Sequence, residues 1–261
     1  MKFLVPFLAA FLFLVPAAGA AGPEPLAPLL TRTRSIVQGF VDDLGNLRYE
    51  ETVLQQKLGE NKKKSYKQET QFDSLMLMHF ENGELSVEES RIREMEPRKA
   101  EVRPLLLTSG FSTLAMVFHP YYESSFQFSR MDDDVIDGRT LVRVHFEHVQ
   151  GTPSPMLYQR LMTGTPVELE GTAWIDPDSG QIVRLSADVG KSMQEIGLTQ
   201  LQVELQYAPV TMSGSPEPLW LPSSATIDLE TPKQHWRNTH RFTKYRRYTV
   251  DVQIDVGSKQ P

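Results

Sequence analysis

The chain has 261 residues, a formal net charge of −6 and no cysteine. The lack of cysteine excludes disulfides, thiolate metal sites and a lipid anchor attached at a signal-peptide cysteine. A mildly acidic chain gives no electrostatic footprint for nucleic acid, and it argues against general attraction to anionic lipid headgroups.

The first 20 residues have the pattern of a signal peptide. Lys2 supplies a positive start, residues 3–15 are almost wholly apolar, and residues 18–20 give a small-x-small cleavage site. A transmembrane anchor is the alternative, but the apolar run is shorter than the roughly 20 residues needed to span a bilayer. We therefore expect cleavage after Ala20 and export to the periplasm. A flexible leader at residues 21–28 and a single domain at residues 29–257 would follow, with no transmembrane segment left after cleavage.

The first structured element is expected to be a helix. Apolar residues recur over residues 29–44 with a 3.6-residue period, and Gly45 is a plausible stop. Strands are then predicted at residues 48–58, 66–80 and 84–93, with Asn82-Gly83 as a hairpin turn. The pattern of residues 48–58 is mixed and would also suit a helix, but the hairpin tip that follows favours a strand. A second short helix is predicted at residues 105–118.

Alternating strands follow in the middle of the chain. We expect them at residues 122–130 and 141–149, then a long loop or short helix at residues 150–166. Residues 167–207 alternate most regularly, with turn residues at 177–180 and Gly180 suited to a left-handed position. Later strands are predicted at residues 219–229 and 241–256.

This pattern predicts a mainly β (α+β) fold. The expected architecture is a curved antiparallel half-barrel of about ten strands, in largely sequential order, covered on its concave side by one or two helices.

Four segments resemble a known family. They are GTAWIDPDSGQIVRL, LQVELQYAPV, LWLPSSATIDL and HRFTKYRRYTVDV. Together they resemble the LolA-like superfamily, which holds periplasmic lipoprotein carriers, RseB-type stress sensors and lipid-binding lipoproteins. The resemblance covers about two thirds of the mature chain, and it implies an incomplete barrel whose helices enclose an apolar space, where the carriers bind acyl chains. The longer middle section, residues 97–166, departs from the carriers.

The sequence offers little for catalysis or metal binding. No nucleophile elbow, phosphate-binding loop or zinc-protease motif occurs. His145 and His148 are three apart on a predicted strand, so they point to opposite faces and do not share a metal. Glu168 and Glu170 share a strand face, but such a pair on the wet side of a sheet is usually solvated. We expect no enzyme, no metal and no cofactor.

The resulting hypothesis is a binding protein that encloses an apolar ligand, such as a lipid or the acyl chains of a lipoprotein. The alternative is an envelope protein-interaction or stress-sensing module with a filled core and no lipid. For the apolar pocket we predict nine lining residues: Ile36, Phe40, Phe111, Leu114, Val144, Phe146, Leu185, Val203 and Leu205.

Overall fold

The computed structural model describes residues 25–45, 47–59, 64–81, 84–93, 111–160, 163–189, 198–212 and 217–247. The expected signal peptide and the end of the last predicted strand, residues 248–256, lie outside these ranges. The only α-helix of the described residues is α1 (Leu26–Leu44). It begins inside the stretch expected to be a flexible leader, and it ends at Gly45 as predicted.

Thirteen strands follow the helix along the described chain. Their bounds are β1 (Leu47–Leu58), β2 (Lys64–Glu81), β3 (Glu84–Arg93), β4 (Phe126–Arg130), β5 (Asp134–Ile136), β6 (Arg139–His148), β7 (Leu157–Arg160), β8 (Thr163–Pro166), β9 (Leu169–Ile175), β10 (Ile182–Val189), β11 (Gln200–Val210), β12 (Leu219–Thr231) and β13 (Gln234–Arg247).

Eleven of these strands form one curved antiparallel sheet that does not close. The order is β3-β2-β1-β13-β12-β11-β10-β9-β6-β4, with β5 paired to β6, while β7 and β8 form a separate hairpin. The predicted fold class is therefore confirmed. The order is sequential except at two places. The first strand pairs with the last, β1 with β13, and β6 lies between β4 and β9.

One face of the sheet, here called the covered face, carries the core. Helix α1 buries Leu29, Leu30, Val37 and Val41 toward it, because these positions fall on one stripe of a 3.6-residue helix. The helix packs on a 3-10 segment, Phe111–Phe118, and reaches β2. The 3-10 segment in turn packs on β10, β11 and β12.

Four predicted elements differ in the structure. The last strand, expected from residue 241, begins at Gln234. Residues 111–118 form a 3-10 segment and not an amphipathic α-helix, and residues 105–110 lie outside the described chain. Residues 114–118 are all buried, which is the pattern of a segment enclosed on every side. Residues 150–166 contain the hairpin of β7 and β8, where a loop or short helix was expected.

The strand predicted at residues 122–130 begins later, at Phe126. A second 3-10 segment, Pro120–Ser125, precedes it. Proline suits the first turn of a helix because its missing N–H needs no partner there. His119 caps the segment, since its Nδ1 accepts a hydrogen bond from the Tyr121 backbone N–H at 3.1 Å.

The turn between β9 and β10 supports α1. Gly180 has φ +77°, in the left-handed region that favours glycine. The Arg32 side chain of α1 donates a hydrogen bond of 2.6 Å to the Pro177 carbonyl. A Cβ atom at Gly180 would lie 2.9 Å from the Cβ of Arg32, so the helix approaches the turn too closely for any other residue.

We predict that Gly180→Ala destabilises the fold by about 2 kcal/mol, because it combines an unfavourable φ with a collision against α1. Gly138→Ala is the matched control, since Gly138 has φ +76° and open space around its missing side chain. It should cost about 1 kcal/mol. Urea unfolding of both variants measures the difference, and equal losses would show that the contact with α1 contributes nothing.

Candidate functional site

Six of the nine predicted pocket residues meet in the core. Each is at most 1% exposed, and they occupy β6, β10, β11 and the first 3-10 segment: Leu114, Val144, Phe146, Leu185, Val203 and Leu205. The structure therefore brings them together in the core as closely packed side chains. The side chain of Phe111 lies outside what the structure describes.

The other two predicted residues, Ile36 and Phe40, line a cleft. This cleft lies between the second half of α1 and the beginning of β12, and its volume is about 210 Å³. Its remaining walls are Ser35, Gly39, Asp43, Gln181, Pro218, Leu219, Trp220 and Leu221. The lining is mainly apolar, with polar groups at the rim.

The sequence did not identify the β12 side of the cleft. Leu219, Trp220 and Leu221 are adjacent along the chain, so period-2 alternation assigns them to opposite faces of a strand. All three nevertheless line the cleft, where β12 begins. On the opposite wall Phe40 packs edge-on against Tyr207, with ring centroids 6.2 Å apart. The cleft is thus continuous with the aromatic part of the core.

Polar contacts hold α1 at three places. Besides the bond from Arg32 to the β9–β10 turn, Arg34 pairs with Glu123 at 2.7 Å, and Asp43 pairs with Arg247 of β13 at 3.0 Å. Exposed ion pairs of this kind contribute about 0–1 kcal/mol each. The apolar face of α1 therefore supplies most of its attachment.

A buried charged cluster occupies the covered face on β1, β2, β3 and β13. The Glu51 carboxylate is fully buried. His240 Nδ1 lies 2.6 Å from it, Arg91 donates two hydrogen bonds of 2.7 and 3.0 Å, and the Ser74 hydroxyl donates one of 3.1 Å. Arg91 also pairs with Glu89 at 2.8 Å.

The charged groups of this cluster favour one another's ionised forms. Burial by itself would raise the pKa of Glu51, but the hydrogen bond with His240 and the charge of Arg91 outweigh it and lower that pKa. Burial would likewise lower the pKa of Arg91, and the two carboxylates Glu89 and Glu51 raise it instead. Glu51 and Arg91 are therefore charged together at neutral pH.

On the opposite, wet face three carboxylates stand in one row. Glu170 of β9 lies directly opposite Glu147 of β6 on one side and Asp188 of β10 on the other. Burial and the charge of Glu170 raise the pKa of Asp188. Glu168 precedes β9. The acidic neighbours of Glu170 therefore lie on other strands.

The described residues contain no group of three histidine or acidic side chains arranged to hold a metal ion. In the same part of the chain, no helix has both the length and the apolar character to cross a bilayer. His145 and His148 face opposite sides of β6, as their spacing predicts, and His148 Nε2 lies 3.1 Å from the Pro153 carbonyl oxygen.

No protein-family model matches the chain, and no curated protein matches it. A DUF1329 family protein from Desulfovibrio piger is similar in structure, with 11% identity, coverage of 90% of this chain and 95% of that one, and a TM-score of 0.46. A domain from Vibrio parahaemolyticus assigned to outer membrane lipoprotein sorting has 10% identity, coverage of 86% and 95%, and a TM-score of 0.46.

The Pseudomonas aeruginosa MucA/MucB complex contains a third similar chain, with 9% identity, coverage of 85% of this chain and 99% of that one, and a TM-score of 0.19. All three identities are 11% or lower, and all three TM-scores lie below 0.5.

We predict that Glu51→Gln lowers the free energy of unfolding by about 3 kcal/mol at pH 7, because it removes the carboxylate beside the buried His240 and one of the two carboxylates that pair with Arg91. The lowered pKa means that the contribution of Glu51 is complete above its ordinary value of 4.5 and disappears as the pH falls through the folded value. Denaturant unfolding from pH 7 down to pH 3 measures this. Glu204→Gln, which breaks the half-exposed pair with Arg184, is the control and should cost less than about 1 kcal/mol. A similar loss in both variants would contradict a special role for the buried cluster.

Asp188→Asn should stabilise the protein at pH 7 by about 0.5 kcal/mol, because it removes a partly buried charge and its repulsion with the directly opposed Glu170. The pKa of Asp188 is raised in the fold, so wild-type stability is lost as the pH rises above the ordinary value of 3.8. The gain should therefore disappear near pH 3. Melting temperatures at both pH values measure it, with Asp132→Asn, an exposed turn residue, as control; a gain that persists at pH 3 would contradict the explanation.

Proposed function

We propose that the protein is a non-catalytic binding protein, which takes an apolar chain between α1 and the sheet. The ligand class is a lipid or the acyl chain of a lipoprotein. The observation that carries this proposal is the cleft of about 210 Å³, whose wall joins Ile36 and Phe40 of α1 to Leu219, Trp220 and Leu221 of β12. Ligand sites in proteins are usually concave and mostly apolar, with a few polar groups.

Loading of a longer chain requires α1 to move. Ligand pockets are usually about 300–1,000 Å³, so the cleft accommodates only the leading part of an acyl chain. The covered face of β10 and β11 is apolar, as Leu185, Val203 and Leu205 show, and the 3-10 segment that packs on it also packs on α1. Each methylene buried there would contribute about 0.8 kcal/mol, so an acyl chain would replace part of the apolar contact that α1 gives up on moving.

Further parts of the proposal follow from the sequence. The pattern of residues 1–20 supports export to the periplasm, and residues 29–257 would form one domain. In that setting the ligand would be a membrane lipid or a lipoprotein passing through the envelope.

A second candidate function is supported by the size of the cleft. Its 210 Å³ would also accept one or two apolar side chains of a protein partner without any movement of α1. The chain would then be an interaction module in the envelope whose core stays filled.

The test uses Trp220 as a reporter. The chain has three tryptophans, so the variant with Trp174→Phe and Trp236→Phe leaves Trp220 as the only one. Titration with a palmitoylated peptide should shift its emission to shorter wavelength, and native mass spectrometry should show a one-to-one complex. Phe40→Ser in this background should weaken binding about tenfold, because it removes apolar contact worth about 1.4 kcal/mol. Gln38→Ser, on the exposed side of α1, is the matched control.

The same peptide without its palmitoyl group separates the two functions. Binding that depends on the acyl chain and on Phe40 supports a lipid-binding protein. Equal binding of both peptides would support the interaction module, and unchanged affinity after Phe40→Ser would show that the cleft is not the site.

A further inference from the structure

The covered face has two chemically different halves. On β9, β10, β11 and β12 the residues facing the core are apolar or glycine, for example Leu169, Ala187, Val203 and Ile227. On β13, β1 and β2 the same face carries six of the ten buried polar residues of the described chain: Glu51, Gln55, Thr70, Ser74, Asn238 and His240. We call this second region the polar half.

A row of amides crosses the polar half. Asn238 of β13 lies directly opposite Gln55 of β1, and Gln55 lies opposite Gln68 of β2. On its other side, Asn238 lies opposite Ile227 of β12, the first strand of the apolar half. The amide row therefore starts at the boundary between the two halves.

Asn238 has an unmet hydrogen-bonding requirement. Its side chain is 95% buried, since its exposed fraction is 5%, yet its Oδ1 has no hydrogen-bond partner. Buried polar atoms are nearly always paired, and leaving one unpaired is costly. The unpaired atom is an acceptor, so the group that would satisfy it is a donor, an O–H or an N–H.

The charges nearby oppose an anionic ligand. The polar half and the adjoining β3 contain two buried carboxylates, Glu51 and Glu89, and the Arg91 guanidinium pairs with both. The Lys57 ammonium lies near the end of β1, over the Trp236 ring. A phosphate would bring further acceptors, which the unpaired Oδ1 of Asn238 cannot use, and negative charge to a face that already holds two buried carboxylates. A hydroxyl or an amide brings donors without charge.

We infer that the polar half binds the head of an amphipathic ligand, and that this head carries hydroxyl or amide groups and not a phosphate. This inference rests on the proposed function, in which the apolar chain lies along the other half. Helix α1 contacts β2, and it also contacts the 3-10 segment that packs on β10, β11 and β12, so it lies against elements of both halves.

The test uses three ligands with the same dodecyl chain, below their micelle concentrations. Dodecyl maltoside presents hydroxyls, dodecanoyl-glycinamide presents amides, and dodecyl phosphate presents an anion. Calorimetric titration of the full chain should give at least one neutral ligand an affinity about fivefold higher than that of the phosphate, the effect of one hydrogen bond. Which neutral ligand binds more tightly distinguishes a sugar-like head from a peptide-like one.

Asn238→Leu should remove this preference and leave the affinity for dodecyl phosphate unchanged. Thr239→Val, the neighbouring residue on the opposite face, is the matched control and should keep the preference. If circular dichroism shows that Asn238→Leu is unfolded, Gln55→Leu replaces it. Equal affinity for all three ligands would overturn the inference while the proposed function stands, and no binding of any ligand would overturn both. If the preference for a neutral ligand over dodecyl phosphate persists in both leucine variants, the head is recognised elsewhere, and this result would overturn the inference.

Discussion

The pairing of β1 with β13 is the constraint on which the structure depends. It joins the N-terminal strands β1–β3 to the C-terminal strands, and without it the covered face would be two separate surfaces. The pairing brings Glu51 within 2.6 Å of His240 across 189 residues of chain. Closing a loop of that length carries an entropic cost that local contacts do not repay, so this pairing is expected to form late in folding.

The same pairing explains why a costly charged cluster lies inside the protein. Buried ion pairs usually add little stability compared with apolar residues of similar size. The apolar half of the covered face shows that this chain can build an ordinary core, with Leu185 and Leu205 fully buried. The polar half is therefore better explained by recognition of polar groups than by stability, and the unpaired Oδ1 of Asn238 agrees with that reading.

The sequence predicted the β-sheet well where inward positions are apolar. Strands β9, β10 and β11 have apolar residues at alternate positions, and nearly all of these are buried; Val189, at the end of β10, is half-buried. In β1 the pattern was mixed between helix and strand, because inward positions hold Glu51 and Gln55. The mixed pattern of β1 therefore reflects the polar residues that it contributes to the polar half. The partner His240 could not be found, since pairing across the whole chain leaves no local pattern.

The site could be predicted in part. Ile36 and Phe40 were found because they belong to the apolar stripe of a helix, whereas Leu219 and Trp220 line the cleft from the start of a strand. The predicted second helix is a 3-10 segment over residues 111–118, although Leu114 and Phe118 recur at α-helical spacing. The conformation of this segment is decided by its enclosure on all sides by other elements. That enclosure is a property of the tertiary structure.

The capping and the amino-acid composition of α1 determine how it could move. Its N-terminal boundary, Pro25, provides no side-chain cap, and neither terminal turn carries a charge that complements the helix dipole. Several interior residues, among them Thr33, Val37 and Gly39, are poor helix formers. Such a segment keeps its shape only while it rests on the sheet. If α1 left the sheet, it would therefore unfold locally and would not rotate as a rigid body about a hinge. The gain in conformational entropy of the unfolded segment would offset part of the contact energy lost between α1 and the rest of the protein.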